Sequence, residues 1–291
     1  MKSWKAKAER GSAFLIRFIA WLARVAGRPL CRALLYPIVL YFVLTDATTR
    51  AASREFLAAA TGRRVGWTDV FRHIHSFAAT LLDRVYMASG DFDRFEVTVE
   101  GDPFVREALE TGKGCVLLGS HLGSFDLMLL KNQALHKRPV TVLMHIDERS
   151  RVRRIAGIDD GKLSIIPLGR IDSYLRAYEV LERGGLIVAL ADRSESAASL
   201  TSDFFGRPAE FPVGPHALAA RAGAIVLMGF GLYEGGKRYR IEFVEFGAGA
   251  SPGSRGAALQ PVVDRYAALL EQYARRYPKN WFNFYPYWQR P

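Results

Sequence analysis

The sequence predicts an α/β fold, with a mainly parallel central sheet flanked by helices and N-terminal helices at a membrane interface. Three observations carry this. From about residue 95 onward, short β-rich runs alternate with amphipathic helical stretches, the pattern of βαβ units. Residues 50–90 read as helix alone. Residues 12–44 set aromatic and aliphatic side chains between arginines. With 291 residues and 49% hydrophobic content the chain can bury one large core, and at 24% charged it is too apolar for disorder.

The elements follow in order. Residues 1–50 hold nine basic and two acidic side chains, a net +7 of the chain's +11. Such a charge attracts nucleic acid, an anionic membrane or an acidic protein. The segment between, FLIRFIAWLARVAGRPLCRALLYPIVLYFVL, is overwhelmingly apolar, which favours a membrane surface. A spanning helix needs about 20 uninterrupted apolar residues, and Arg17, Arg24, Arg28 and Arg32 interrupt this one. Pro29 and Pro37 should break or kink any helix through it. One or two interfacial helices result, their arginines at anionic headgroups and Phe14, Phe18, Trp21, Leu34 and Leu35 in the acyl region. A helix covering the core of a soluble protein is the other reading. No cleavable signal is expected, since no A-x-A-like site follows a short apolar run.

Helix is expected over 50–90 with a break at Thr61-Gly62. Strands are expected at FEVTVE, CVLLGS, VTVLMH, LSIIPLG, LIVALAD, AIVLMGFGLY and YRIEFVEF. Amphipathic stretches such as SYLRAYEVLERGG lie between several of them, and a last long helix covers about 261–276. The chain divides into residues 1–48, membrane-associating, and 49–291, the main domain.

Residues 115–130, CVLLGSHLGSFDLMLL, place His121 and Asp126 in an apolar, small-residue stretch. CVLLGS reads as a buried strand and LGSFDLMLL as the start of a helix. His121 then falls at a carboxyl strand end, where open α/β sheets bind ligands. Five residues on one helix is a rotation of about 140°, so the pair can meet only with His121 in the turn and Asp126 in the helix's first turns. Ser120, Gly123 and their neighbours permit such a turn and leave room for a substrate. Chemically this is a base dyad without an enzyme nucleophile. A neutral imidazole takes a proton from a substrate hydroxyl or amine, while a carboxylate fixes the tautomer. The packing alternative is a histidine at a strand end and an aspartate favouring a helix dipole.

Other chemistry is weakly signalled. LGSHLG is not the G-x-S-x-G elbow. Cys115 opens a strand and reads as core, and two cysteines make no disulfide framework. GIDDGKLS has the wrong spacing for a phosphate loop. His73 and His75 read as packing or surface, and the histidines do not cluster as metal ligands. FFGRPAEFP is either a turn plugged by two aromatics or a cleft wall in which Gly206 and Arg207 meet an anion. The terminal aromatics, Trp281 to Trp288, read either as core cover or as residues at headgroup level. No nucleic-acid module is recognisable.

SHLGSFD resembles the H-x4-D/E motif of membrane-associated acyltransferases, and the chain is most similar to the late acyltransferases of lipid A biosynthesis. The resemblance rests on the basic-apolar N-terminal segment, the His121/Asp126 block, LADRSE (190–195), FFGRPAEFPVGPHALAARAGAIVLMGF (204–230) and PKNWFNFYPYW (278–288). The ending NWFNFYPYW looks like a subgroup linked to aryl polyene pigment lipids. The resemblance implies O-acyl transfer from an acyl-carrier-protein thioester to a lipid or glycolipid acceptor, at the cytoplasmic face of a bacterial inner membrane. Its implied partners are the acyl carrier protein, a membrane lipid acceptor and an anionic membrane surface, with no nucleic acid. It implies no cofactor beyond the acyl thioester co-substrate, acyl carrier protein or coenzyme A. His121 is the implied base and Asp126 its orienting partner. Ser120, Gly123, His145, Arg149, Asp192, Arg193, Gly206 and Arg207 are the implied substrate-binding residues. The family often has Arg at the position of His145. A glycerol-phosphate acyltransferase, or a non-catalytic basic binder of lipid or nucleic acid, is the alternative.

Overall fold

The computed structural model describes residues 13–88, 91–129, 139–145, 163–194, 198–247 and 249–288. Its centre is a seven-stranded sheet in the order β1-β9-β8-β2-β5-β3-β4. The strands are β1 (Glu96–Glu100), β2 (Cys115–Gly119), β3 (Val140–His145), β4 (Leu163–Leu168), β5 (Leu186–Leu190), β8 (Ile225–Gly235) and β9 (Arg238–Glu245). All neighbours pair in parallel except β8 and β9, which form an antiparallel hairpin. These are the seven runs expected from the sequence. β2 is buried at every residue, as a strand covered on both faces by helices must be.

Alternate residues of β2 enter different cores. Val116 and Leu118 join a cluster built with the Ala47–Thr61, Ser173–Glu182, Gly214–Ala222 and Gln260–Arg276 helices. Cys115 and Leu117 join one built with the Asp102–Glu110 helix and Leu127, Met128 and Leu129. Trp281 is fully buried in the first.

The expected break at Thr61-Gly62 is a helix end, with Gly62 as a left-handed cap donating to the Ala58 carbonyl. The next helix, Trp67–Ala88, buries Ala79, Leu82, Tyr86 and Met87 in the second core. The N-terminal helix, Ala13–Thr45, departs from expectation at its prolines. Its break is at Gly27 (φ 72°, ψ 167°), so Pro29 opens the second helical piece, where a missing N–H costs nothing. Pro37 does not end the helix, because Val39 and Val43 in the following turns are anchored in the core.

A second departure is a small antiparallel hairpin, β6 (Ser199–Asp203) with β7 (Pro208–Pro212). Its turn carries the FFG of the sequence. Phe204 and Phe205 are both buried, as the packing reading of FFGRPAEFP has it. Phe205 (φ 60°) and Gly206 (φ 72°) both adopt left-handed backbone.

Candidate active site

β2 and β5 are adjacent and parallel, with Gly119 opposite Leu190. Two residues further along each strand come His121 and Asp192, which therefore emerge side by side at the carboxyl edge. The ladder continues one step beyond the strands, with Ala191 N–H donating to the Gly119 carbonyl at 3.1 Å. Asp192 then grips His121 twice. Its Oδ1 lies 2.8 Å from His121 Nδ1, and its Oδ2 accepts the His121 backbone N–H at 3.0 Å. The Asp192 side chain is fully buried while that of His121 is 29% exposed. Burial alone would raise the Asp192 pKa. The charge of the His121 imidazole and its two hydrogen bonds overcome this and hold the carboxyl well below its usual range.

The C-terminal segment closes over this pair. Phe282 N–H donates to the His121 carbonyl at 2.9 Å, and Gly123 N–H to the Asn280 carbonyl at 2.7 Å. The Asn283 amide donates to Asp192 Oδ2 at 3.2 Å, and the Tyr287 hydroxyl to the Asp192 carbonyl at 2.7 Å. Asn280 is itself fixed by both backbone groups of Tyr233 on β8. Behind it His73 contacts the Trp281 carbonyl at 3.0 Å and Ser53 Oγ at 2.9 Å. Burial keeps this imidazole neutral, its pKa pushed down to about 4. His73 is therefore packing, as read from the sequence.

The expected residues take the following places. The resemblance gives the orienting role to Asp126. The structure pairs the Asp126 carboxylate with Arg84 on the Trp67–Ala88 helix, and the carboxylate on Nδ1 is that of Asp192. Ser120 is buried, and its Oγ accepts the Leu122 N–H at 3.3 Å, shaping the turn. Gly123 (φ +83°) lets two backbones meet, since a Cβ there would sit 2.1 Å from the Gly231 carbonyl oxygen. Arg193 reaches the C-terminal segment. It donates to Asn283 Oδ1 at 2.5 Å and to the Phe282 carbonyl at 3.0 Å, with its guanidinium 5.5 Å from the Tyr285 ring centroid. His145 ends β3 at the same carboxyl edge, beyond the Leu143–Ala189 pair. Arg149 lies outside the described residues. Arg207 is ion-paired with Glu55 at 2.7 Å and stacked 4.6 Å over Trp288, on the hairpin side. Gly206 donates its N–H to Asp203 Oδ1 at 3.0 Å within the turn.

The backbone amides of residues 121–124, which lead into the helix, are committed to Asp192, Ser120, Asn280 and Gly231 respectively. Leu117, Leu118, Leu127 and Leu129 are packed into the core beneath this turn. A groove of about 840 Å³ lies between β6–β7 and the Gln260–Arg276 helix, but it shares none of the His121 residues.

Sequence reasoning missed Asn280, Asn283 and Arg84 altogether. The spacing of both asparagines around Trp281-Phe282 was the available signal, because polar amides inside an aromatic run need buried partners.

Known proteins match a stretch of the chain that contains these residues. The family described as bacterial lipid A biosynthesis acyltransferase matches residues 75–290. A phosphatidylinositol mannoside acyltransferase of Mycobacterium tuberculosis (strain CDC 1551 / Oshkosh) is 27% identical over 229 residues, 76% of this chain and 66% of that protein. Its counterpart in Mycolicibacterium smegmatis is 28% identical over 190 residues, 62% of this chain and 59% of that protein. The chain thus spans just under two thirds of the relatives it matches.

Proposed function

The chain belongs to the bacterial lipid A biosynthesis acyltransferase family, and from that footing we propose that it moves a fatty acyl group from an acyl-carrier-protein thioester to a hydroxyl of a membrane glycolipid, with His121 as the base. The observation that supports this most is the His121–Asp192 contact, a partly exposed imidazole fixed by a fully buried carboxylate. With Asp192 accepting from Nδ1–H, the tautomer is set so that Nε2 takes the acceptor's proton. The acceptor oxygen attacks the thioester carbonyl, and the C–S bond breaks as the tetrahedral intermediate collapses. The thiolate then takes the proton from the imidazolium, leaving an ester and a free thiol. Asp126, through Arg84, fixes the first turn of the helix that follows His121.

A glycolipid acceptor accords with both the family description and the mycobacterial relatives. The basic N-terminal stretch, net +7 over residues 1–50, suits an anionic membrane surface and an acidic carrier protein. The reading is tested by incubating the full chain with bacterial lipid extract and a labelled acyl chain, carried either by acyl carrier protein or by coenzyme A. Label entering the lipid fraction as an alkali-labile ester, faster from the carrier protein, is the expected result. Transfer from coenzyme A alone reassigns the donor, and transfer from neither overturns the function.

A further inference from the structure

The Gly27–Thr45 helix is long and apolar enough to cross a membrane by length and composition, and 22% of it is buried. Its packing says how it meets the bilayer. The inward stripe is narrow and runs the whole length. Near its start Arg28 makes two 2.8 Å bonds to Asp83, late in the Trp67–Ala88 helix. In the middle Tyr36, at the margin of the stripe and 57% exposed, stacks on Phe71 and tilts against His75. Near its end Val39 and Val43 share a core with Val70 and Ile74. The helix therefore lies antiparallel along its neighbour from end to end. The rest of its surface exposes Leu30, Leu34, Ile38, Leu40, Tyr41 and Leu44.

We propose that this helix lies flat in one leaflet of an anionic membrane, held to the domain by its inner stripe, and does not cross the bilayer. The proposal rests on the membrane reading above and adds its geometry. At 19 residues the helix is about 28 Å long. Upright, it would carry its partner helix into hydrocarbon together with Asp69, Arg72, Asp83 and Arg84. Charged side chains within the hydrocarbon are costly and are rare there. Lying flat, it buries only the apolar side. Charge selects the occupant: no carboxylate occurs between Glu9 and Asp46, and Arg28 and Arg32 turn inward to Asp83, so the outer face is apolar and the cations that meet a surface lie at its far end. Beside the helix's far end Trp67 is 54% exposed, with the Arg50 and Arg54 guanidinium groups 5.5 and 5.9 Å from its ring centroid. An amphipathic aromatic flanked by cations suits the headgroup level.

The test places single nitroxide labels on cysteines at positions 30, 34, 38, 41 and 44 of the full chain. Wild type, whose Cys31 and Cys115 are buried, serves as the unlabelled control. The vesicles hold equal parts phosphatidylglycerol and phosphatidylcholine. Flotation is measured first, then label depth by oxygen and nickel accessibility. Flotation with all lipid-facing labels in one leaflet, about 5–10 Å below the phosphates, is the expected result. Depth rising to the bilayer centre near position 38 and falling again overturns the flat orientation alone. Failure to float overturns the membrane reading with it. Labels outside lipid, with the protein running at twice its mass, would assign the face to a second copy instead.

Discussion

Asp192→Asn is expected to lower acyl-transfer turnover by about 10³- to 10⁴-fold, with little change in folding. The scale comes from Ser-His-Asp enzymes, where the same carboxylate-to-amide change leaves geometry intact but favours the wrong tautomer. The amide can still meet the His121 backbone N–H, yet it cannot both accept from Nδ1–H and stabilise the imidazolium. The loss should appear in kcat and hardly in KM, since Asp192 is fully buried behind the imidazole. A double-mutant cycle separates the two carboxylates. Asp192 should be strongly non-additive with His121, whereas Asp126 should couple to Arg84, its ion-pair partner. Additive losses at His121 and Asp192 would remove Asp192 from the dyad.

Asp83→Ala is expected to destabilise the protein by about 3–5 kcal/mol, the cost of leaving a buried charge without its partner. Asp83 is fully buried and receives Arg28 Nε and Nη2 and the Tyr239 hydroxyl, each at 2.8 Å. Arg32 Nη1 lies a further 3.6 Å away. The substitution strands Arg28 against the sheet edge and loosens the Gly27–Thr45 helix. Replacing Arg28 and Asp83 together by Met and Leu should recover part of the loss, because apolar residues commonly match a buried pair, while the Tyr239 hydroxyl still loses its acceptor. Urea denaturation reads both variants. A loss under about 1 kcal/mol for Asp83→Ala would mean that water reaches the cluster.

Much of this was legible beforehand because strand and helix periodicity is local. The seven sheet strands, the helix end at Gly62 and the Gln260–Arg276 helix follow from apolar runs, caps and amphipathic spacing. The β6–β7 hairpin was not legible, since SLTSD and PAEFP are short, and the second begins and ends in proline. His121 was found because its position, at the end of a buried strand, is a local property. Its partner was not, because the pairing of β2 with β5 joins segments 71 residues apart and only strand order sets it. Proximity in sequence pointed to Asp126, which a helical turn carries to Arg84. The asparagines of the C-terminal segment were hidden the same way: their partners, Tyr233 and Asp192, are remote in sequence.

The central claim is that the His121 imidazole moves the proton in acyl transfer, and single-turnover transfer by His121→Ala tests it most directly. Wild type and variant, matched for folding by their unfolding midpoints, are mixed with labelled acyl carrier protein and lipid acceptor, and ester formation is followed in time. His121→Ala should form ester at least about 10²-fold more slowly, the scale of general-base catalysis, while its unfolding midpoint stays near that of wild type. Ester formation by the variant at the wild-type rate would contradict the claim.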